Sequence, residues 1–279
     1  MDVPELQGVD VDGLRVAYRR AGNGPPLVLL HGAYEDSRIW QYQLAGLADE
    51  FTVIAWDTPG CGGSDDLPGG FTGSLGAVLA DFLTGLGLTG ATKPHVLGLS
   101  FGSTVALDLV RVAPSAAATL ILASAYAGWA GSLPAEEVER RYSQVLAELE
   151  KPAAEVIPAW LPTLFSEHAP PEAVDLVSRV MADFRPTGMR SLLELAGRAD
   201  HRPVLPTVSV PTLLLYGSKD VRSPVAVGEA MREAIPQAQL AVIPGAGHLT
   251  FLEEPDAFNT KIRRWIRAHP GPAHTVGRV

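Results

Sequence analysis

The chain has 279 residues, of which 47% are hydrophobic and 19% charged, enough for one large domain with a filled core and too apolar for global disorder. Its 31 acidic against 22 basic residues leave a net charge of −9, which argues against nucleic acid or an anionic membrane surface as a partner, since phosphate binding needs concentrated Lys and Arg. Cys61 is the single cysteine, Met1–Glu5 has neither a basic start nor an apolar stretch, and no apolar run approaches the ~20 residues that cross a bilayer; a cytoplasmic protein without disulfides is expected.

In chain order, Gly8–Asp12 and Leu14–Arg19 read as two extended segments joined at the turn pair Asp12-Gly13. The run Pro26–Leu30 follows, a strand apolar on both faces, and then a helical pattern around Trp40, Leu44 and Leu47. A second such strand, Phe51–Trp56, ends at Asp57 and a loop carrying Pro59, Gly60, Gly62 and Gly63. That loop lacks the Lys-Ser or Lys-Thr ending of a phosphate-binding loop, so its glycines are read as turn residues. A helix from about Ser74 to Leu86 leads to the short strand at His95-Val96-Leu97. Further strands are expected at Ala118–Ala123, Thr212–Tyr216 and Leu240–Ile243. Strands alternating with helices over this length define an α/β sheet with helices on both faces.

Between residues 127 and 202 the alternation stops. The segment has no convincing strand. Its clearest helix places Val138, Tyr142, Val145, Leu146 and Leu149 on one face, with Glu136 and Glu137 in the first turn. Prolines at 152, 158, 162, 170, 171 and 186 are expected to chop the rest into short helices. This divides the chain into a core of residues 1–126 and 203–279 and a helical cap of 127–202 over the sheet's carboxyl edge. His269 to Val279 reads as a loose tail.

The chemistry centres on Gly98-Leu99-Ser100-Phe101-Gly102, a G-x-S-x-G pentapeptide between a strand and a helix. A turn of that kind holds the serine in a strained backbone conformation and pushes its hydroxyl out at the end of the sheet. A serine needs a base, and the base needs a carboxylate to fix its tautomer. His248, in Gly245-Ala246-Gly247-His248, and Asp220, in Gly217-Ser218-Lys219-Asp220, each follow a strand at that same edge. Taken singly, either residue would serve equally as a helix cap. Together they complete the chain order Ser, Asp, His.

With His31-Gly32, the Asp57–Ser64 loop, the Ser100 elbow, Gly217–Asp220 and Gly247-His248, the chain resembles the α/β-hydrolase superfamily from about Leu14 to Ala268, in its serine esterase and haloperoxidase-like branch. The resemblance implies an eight-stranded, mostly parallel sheet, a helical cap after the sixth strand, and a serine-hydrolase triad. It also implies an oxyanion hole made by the backbone N–H groups of Ala33 and Phe101, with His31 shaping that loop. No carboxylate stands near Ser124-Ala125-Tyr126, where the family places its alternative acid, so Asp220 has no rival.

Serine at the nucleophile position points to an acyl-enzyme, and hence to esters, lactones, thioesters, amides or activated carbon–carbon bonds; a mostly apolar pocket roof fits a carboxylic ester or lactone of a small to medium hydrophobic molecule. Trp40, Trp129, Trp160, Phe165 and Leu249 are the expected pocket residues, under a roof that also carries Tyr126, Tyr142, Met181, Phe184 and Met189. Arg185, Arg190 and His168 are read as solvated surface. The reaction calls for no cofactor, and the seven histidines show no metal-ligand spacing. A ligand sensor with slow turnover, a tailoring thioesterase or cyclase, and a perhydrolase side activity would use the same residues. Monomer and homodimer are equally open.

Overall fold

A computed structural model describes residues 3–271, so the expected tail beyond 271 lies outside the described residues. Eight strands form one sheet: β1 (Leu6–Val11), β2 (Leu14–Ala21), β3 (Pro26–Leu30), β4 (Thr52–Trp56), β5 (His95–Leu99), β6 (Thr119–Ala123), β7 (Thr212–Gly217) and β8 (Gln239–Ile243). Their order is β1-β2-β4-β3-β5-β6-β7-β8. The β1–β2 and β2–β4 pairs are antiparallel, and the others are parallel. The first hairpin turns on Asp12 and Gly13, at φ 51° and 82°.

Strands β3 to β7 are buried along their whole length, as unbroken Val, Leu and Ile runs require when helices cover both faces. Helices α1 (Gln41–Gly46), α2 (Leu75–Gly85) and α3 (Phe101–Val112) belong to the first half of the chain. The helical pattern expected around Trp40 is split between a 3-10 turn, Ser37–Trp40, and α1. Strand β3 pairs with β4 on one side and β5 on the other, so the chain reverses its direction of travel across the sheet there. Such a switch point opens a crevice at the carboxyl ends of the two strands. The loop after β3 and Ser100 after β5 therefore lie side by side.

Four helices fill the stretch between β6 and β7: α4 (Ala135–Glu148), α5 (Ala153–Leu164), α6 (Pro171–Ala182) and α7 (Pro186–Ala196). Prolines 152, 170, 171 and 186 do stand at helix starts, where a missing N–H costs nothing. Pro158 and Pro162, however, do not end a helix; α5 runs through both. Ala154, Pro158 and Pro162 share one exposed face of α5, so the carbonyls of 154 and 158, deprived of their amide donors, reach water. Beyond β7 come α8 (Val225–Ala234), α9 (Thr250–Glu253) and α10 (Pro255–Ala268). Among the described residues no helix is long and apolar enough to cross a membrane.

The four-helix segment is fastened to the sheet's carboxyl edge by polar contacts. Arg185 donates to the carbonyls of Gly62 and Ser64, each at 2.6 Å, and pairs with Asp66 at 2.8 Å. The buried Glu253 carboxylate accepts from Ser166 N and Oγ (3.1 and 2.5 Å) and from Gly247 N at 2.8 Å. The two ends of the segment meet where His201 N donates to Ala127 O at 2.8 Å and Ala130 N to Ala199 O at 3.1 Å.

Candidate active site

Ser100 stands between β5 and α3 with φ 48° and ψ −114°, outside the comfortable regions for a residue with a side chain. The turn is held by Ser100 N donating to Ala123 O at 2.9 Å, while the Ser100 carbonyl accepts from Ser103 N at 2.9 Å and Ser103 Oγ at 2.5 Å. The flanking glycines are required by contact. A Cβ on Gly98 would lie 2.4 Å from Gly102 O, and one on Gly102 would lie 2.3 Å from Leu30 O.

His248 and Asp220 meet in the loops after β8 and β7. His248 Nδ1 donates to both carboxylate oxygens of Asp220, at 2.9 and 3.0 Å, and both side chains are almost fully buried. Asp220 Oδ1 also accepts from the backbone N–H groups of Arg222 and Ser223, at 2.9 and 2.8 Å. Burial alone would raise the Asp220 pKa, but the hydrogen bond and charge of His248, with the Ser223 amide, outweigh it and hold the carboxyl below its usual range. With the proton on Nδ1, the lone pair of the ring is at Nε2. The backbone of His248 is anchored in turn, its carbonyl accepting from Ser124 Oγ at 2.9 Å. No hydrogen bond joins Ser100 Oγ to His248 among the described residues; contacts of this kind commonly tighten only when substrate is in place.

The loop after β3 packs against the start of α3, where a Cβ on Gly102 would meet the carbonyls of Leu30 and His31. His31 is buried between two loops: its Nε2 accepts from Thr58 N at 3.0 Å, and its Nδ1–H donates to Gly32 O at 2.7 Å. Burial lowers its pKa and keeps it neutral. Beneath the loop, Glu35 Oε2 accepts from Gly32 N at 2.8 Å, and burial raises the Glu35 pKa to about 8. Asp57 organises the neighbouring loop by accepting from Ser37 N at 2.7 Å and Gly63 N at 2.8 Å. Cys61 is buried in that loop and its thiol pKa is pushed far up, which leaves it unreactive.

Ala33 and Phe101 border a cavity of about 50 Å³, which Tyr34, Tyr126, Trp129 and Trp160 also line. The Tyr34 ring packs edge-on against Trp160 and Phe184, at 4.9 and 5.1 Å between centroids. Trp129 and Trp160 thus stand at this wall. Trp40 and Leu249 do not: Trp40 is fully buried with its ring 4.4 Å from Phe251, and Leu249 is buried with its N–H donated to Leu164 O. Phe165 is half-buried against the core, outside the cavity lining. Tyr34 was not singled out from sequence, although its place next to Ala33 was the available signal. Arg185 is tied to the core as described, Arg190 pairs with Glu150, and His168 is exposed beside Glu167.

Residues 27–261 match the model of the alpha/beta hydrolase family, and the chain belongs to that family. Among curated relatives, a pimeloyl-[acyl-carrier protein] methyl ester esterase of Pectobacterium carotovorum is 33% identical over 257 residues, covering 89% of this chain and 96% of that protein. A 3-oxoadipate enol-lactonase of Acinetobacter baylyi is 29% identical over 242 residues, covering 85% and 86%. Among solved structures, a thermophilic esterase from Thermogutta terrifontis superimposes with a TM-score of 0.84 at 32% identity, covering 95% of this chain and 99% of that one. The chain is an α/β hydrolase with esterases and a lactonase among its relatives.

Proposed function

We propose that the chain is a serine hydrolase that cleaves a carboxylic ester or lactone of a small to medium hydrophobic molecule through an acyl-enzyme. In this reading residues 1–126 and 203–279 form the catalytic core, and 127–202 form a lid over it. The observation that supports it is the buried Asp220–His248 pair, hydrogen-bonded at 2.9 Å in the loops after β7 and β8, on a sheet whose β5 ends at a serine held at φ 48°.

Ser100 Oγ attacks the acyl carbon while His248 Nε2 takes its proton, and Asp220 stabilises the imidazolium. The carbonyl oxygen becomes an oxyanion that accepts from Ala33 N–H and Phe101 N–H, each donor contributing about 3–4 kcal/mol to the transition state. As the tetrahedral intermediate collapses, His248 gives the proton to the departing alkoxide. Water enters, His248 deprotonates it, and its attack on the acyl carbon releases the acid and returns the proton to Ser100. The apolar wall of Tyr34, Trp129 and Trp160 favours a hydrophobic group next to the reacting carbon.

The test is covalent labelling with a fluorophosphonate, located by peptide mass spectrometry, beside p-nitrophenyl ester turnover. Label on Ser100, and a fall in kcat of at least about 10⁴-fold in Ser100→Ala with its melting temperature kept, are expected. Undiminished turnover in that variant overturns the reading.

A further inference from the structure

Arg222 follows Asp220 by two residues in the loop after β7, and its side chain reaches across to the four-helix segment. Its Nη1 donates to Thr163 Oγ1 at 2.9 Å, and its guanidinium carbon lies 4.3 Å from the centre of the Trp160 ring. One hydroxyl and one aromatic face are its side-chain partners; no carboxylate pairs with it among the described residues. It borders a second cavity of about 280 Å³, and Trp129, Val145 and Trp160 line both this space and the smaller cavity beside Ala33 and Phe101. The two spaces therefore adjoin across shared walls.

The other charges on this wall are already engaged. Arg140 and Arg141 both pair with Glu137, at 2.7 and 2.8 Å. The acid present, Glu148, accepts from Trp160 Nε1 at 3.0 Å and Gln144 Nε2 at 2.8 Å. Arg222 faces the space with unspent N–H donors in a planar fork and, among the described residues, without the carboxylate partner that Arg140 and Arg141 have in Glu137; the indole beneath fixes the plane of that fork. Burial lowers its pKa, so its charged form bears a desolvation cost that an anion alongside would relieve.

We infer that Arg222 is a specificity-determining residue that binds a carboxylate at the far end of the substrate, so that the preferred ester is a half-ester of a dicarboxylic acid or a lactone bearing a free carboxylate. The inference rests on the reading of Ser100 as nucleophile. A carboxylate is the matching anion because its two oxygens meet two parallel N–H groups of a guanidinium. The acyl chain then lies along Trp129 and Trp160 between the two cavities.

The test compares kcat/KM for the monoethyl esters of glutarate, adipate, pimelate and suberate with the corresponding neutral diethyl esters. The wild-type chain is expected to prefer the half-ester by about tenfold or more for at least one chain length. Arg222→Gln is expected to collapse that ratio, and Arg222→Lys to restore part of it. A bracing role for Arg222 against Trp160 would lower both activities together and leave the ratio alone; that result, or a preference for the diester at every length, overturns the inference. Should Arg222→Gln fail to fold, inhibition of the wild type by free adipate rather than by adipamide decides the same question, with equal inhibition counting against it. Both hydrolyses persisting in Ser100→Ala would instead remove the nucleophile on which the inference stands.

Discussion

Glu35 sits under the loop after β3 with one carboxyl oxygen 2.8 Å from Gly32 N, and burial raises its pKa from 4.5 to about 8. A carboxyl raised in this way binds its proton in the folded chain at a pH where the unfolded chain has released it. Stability therefore falls as pH rises from about 4.5 to about 8, by up to about 5 kcal/mol from this one group. Glu35→Gln keeps an acceptor for the Gly32 amide and removes the titration. It is expected to melt with the wild type at pH 5 and several degrees above it at pH 8.5, as thermal denaturation at the two values would show; parallel profiles would remove Glu35 from this role. The residue scale also explains what could be read without coordinates. Ser100, Asp220 and His248 carry local signatures, a glycine-flanked turn or a strand end, which place them at one edge of the sheet. Trp40 and Leu249 are close in sequence to Ala33 and His248, but closeness along the chain does not set direction. A helical turn rotates a neighbour's side chain away, and both point into the core. Tyr34 offered only its place next to Ala33, and Arg222 lacked any local signal: one is a loop aromatic, the other a loop cation, until helices from elsewhere in the chain bring Trp160 against them.

At the level of elements, the strands were legible because a parallel strand covered on both faces must be a short apolar run, and each such run became one. The helices between β6 and β7 were harder to delimit. Proline ends a helix only when the carbonyls it orphans have no other partner, and exposure of one face of α5 supplies water in that place. How these helices seat on the core depends on a contact that no periodicity reveals. Gly188 in α7 lies backbone to backbone against Gly60, where a Cβ would come 2.0 Å from Gly60 O. Gly60 itself has φ 90°, so the loop has little freedom to retreat. Gly188→Ala must therefore lift the start of α7 and disturb the neighbouring Arg185 contacts. A loss of about 1–3 kcal/mol is expected from the overpacking. Because Met189 and Leu192 of the same helix line the small cavity, KM should rise while the rate of fluorophosphonate labelling at Ser100 stays near the wild-type value. Chemical denaturation and steady-state kinetics on one p-nitrophenyl ester check both parts, and an unchanged KM would show that α7 does not shape the pocket.

Over the whole molecule, the sheet order and the switch at β3 bring the loops after β3 and β5 side by side, and the four-helix segment is fastened over that carboxyl edge. The alternation of strands and helices announced the first; the partition into core and lid is a proposal about the second. Its physical basis is that the segment leaves and rejoins the sheet at nearly one point, through the Ala127–His201 and Ala130–Ala199 backbone bonds. The sheet needs no residue of the segment for its register, since β6 and β7 pair directly from Leu120 with Thr212 to Ala123 with Leu215. Replacing residues 128–200 by a short Gly-Ser linker is accordingly expected to leave a cooperatively folding core with sheet content intact. The cost is the apolar surface of Tyr34 and Phe101 turned to water, so the melting temperature should drop. Gly247 keeps its bond to Glu253, which lies wholly within the core, but it loses its packing on Phe165 and Ser166, and Glu253 gives up both bonds from Ser166. The shortened chain should still be labelled at Ser100 by a fluorophosphonate while losing discrimination among ester chain lengths. Circular dichroism, a melting curve and a series of p-nitrophenyl esters measure these outcomes. Selectivity equal to that of the full chain would mean that the pocket belongs to the sheet edge alone, and that residues 127–202 are no lid.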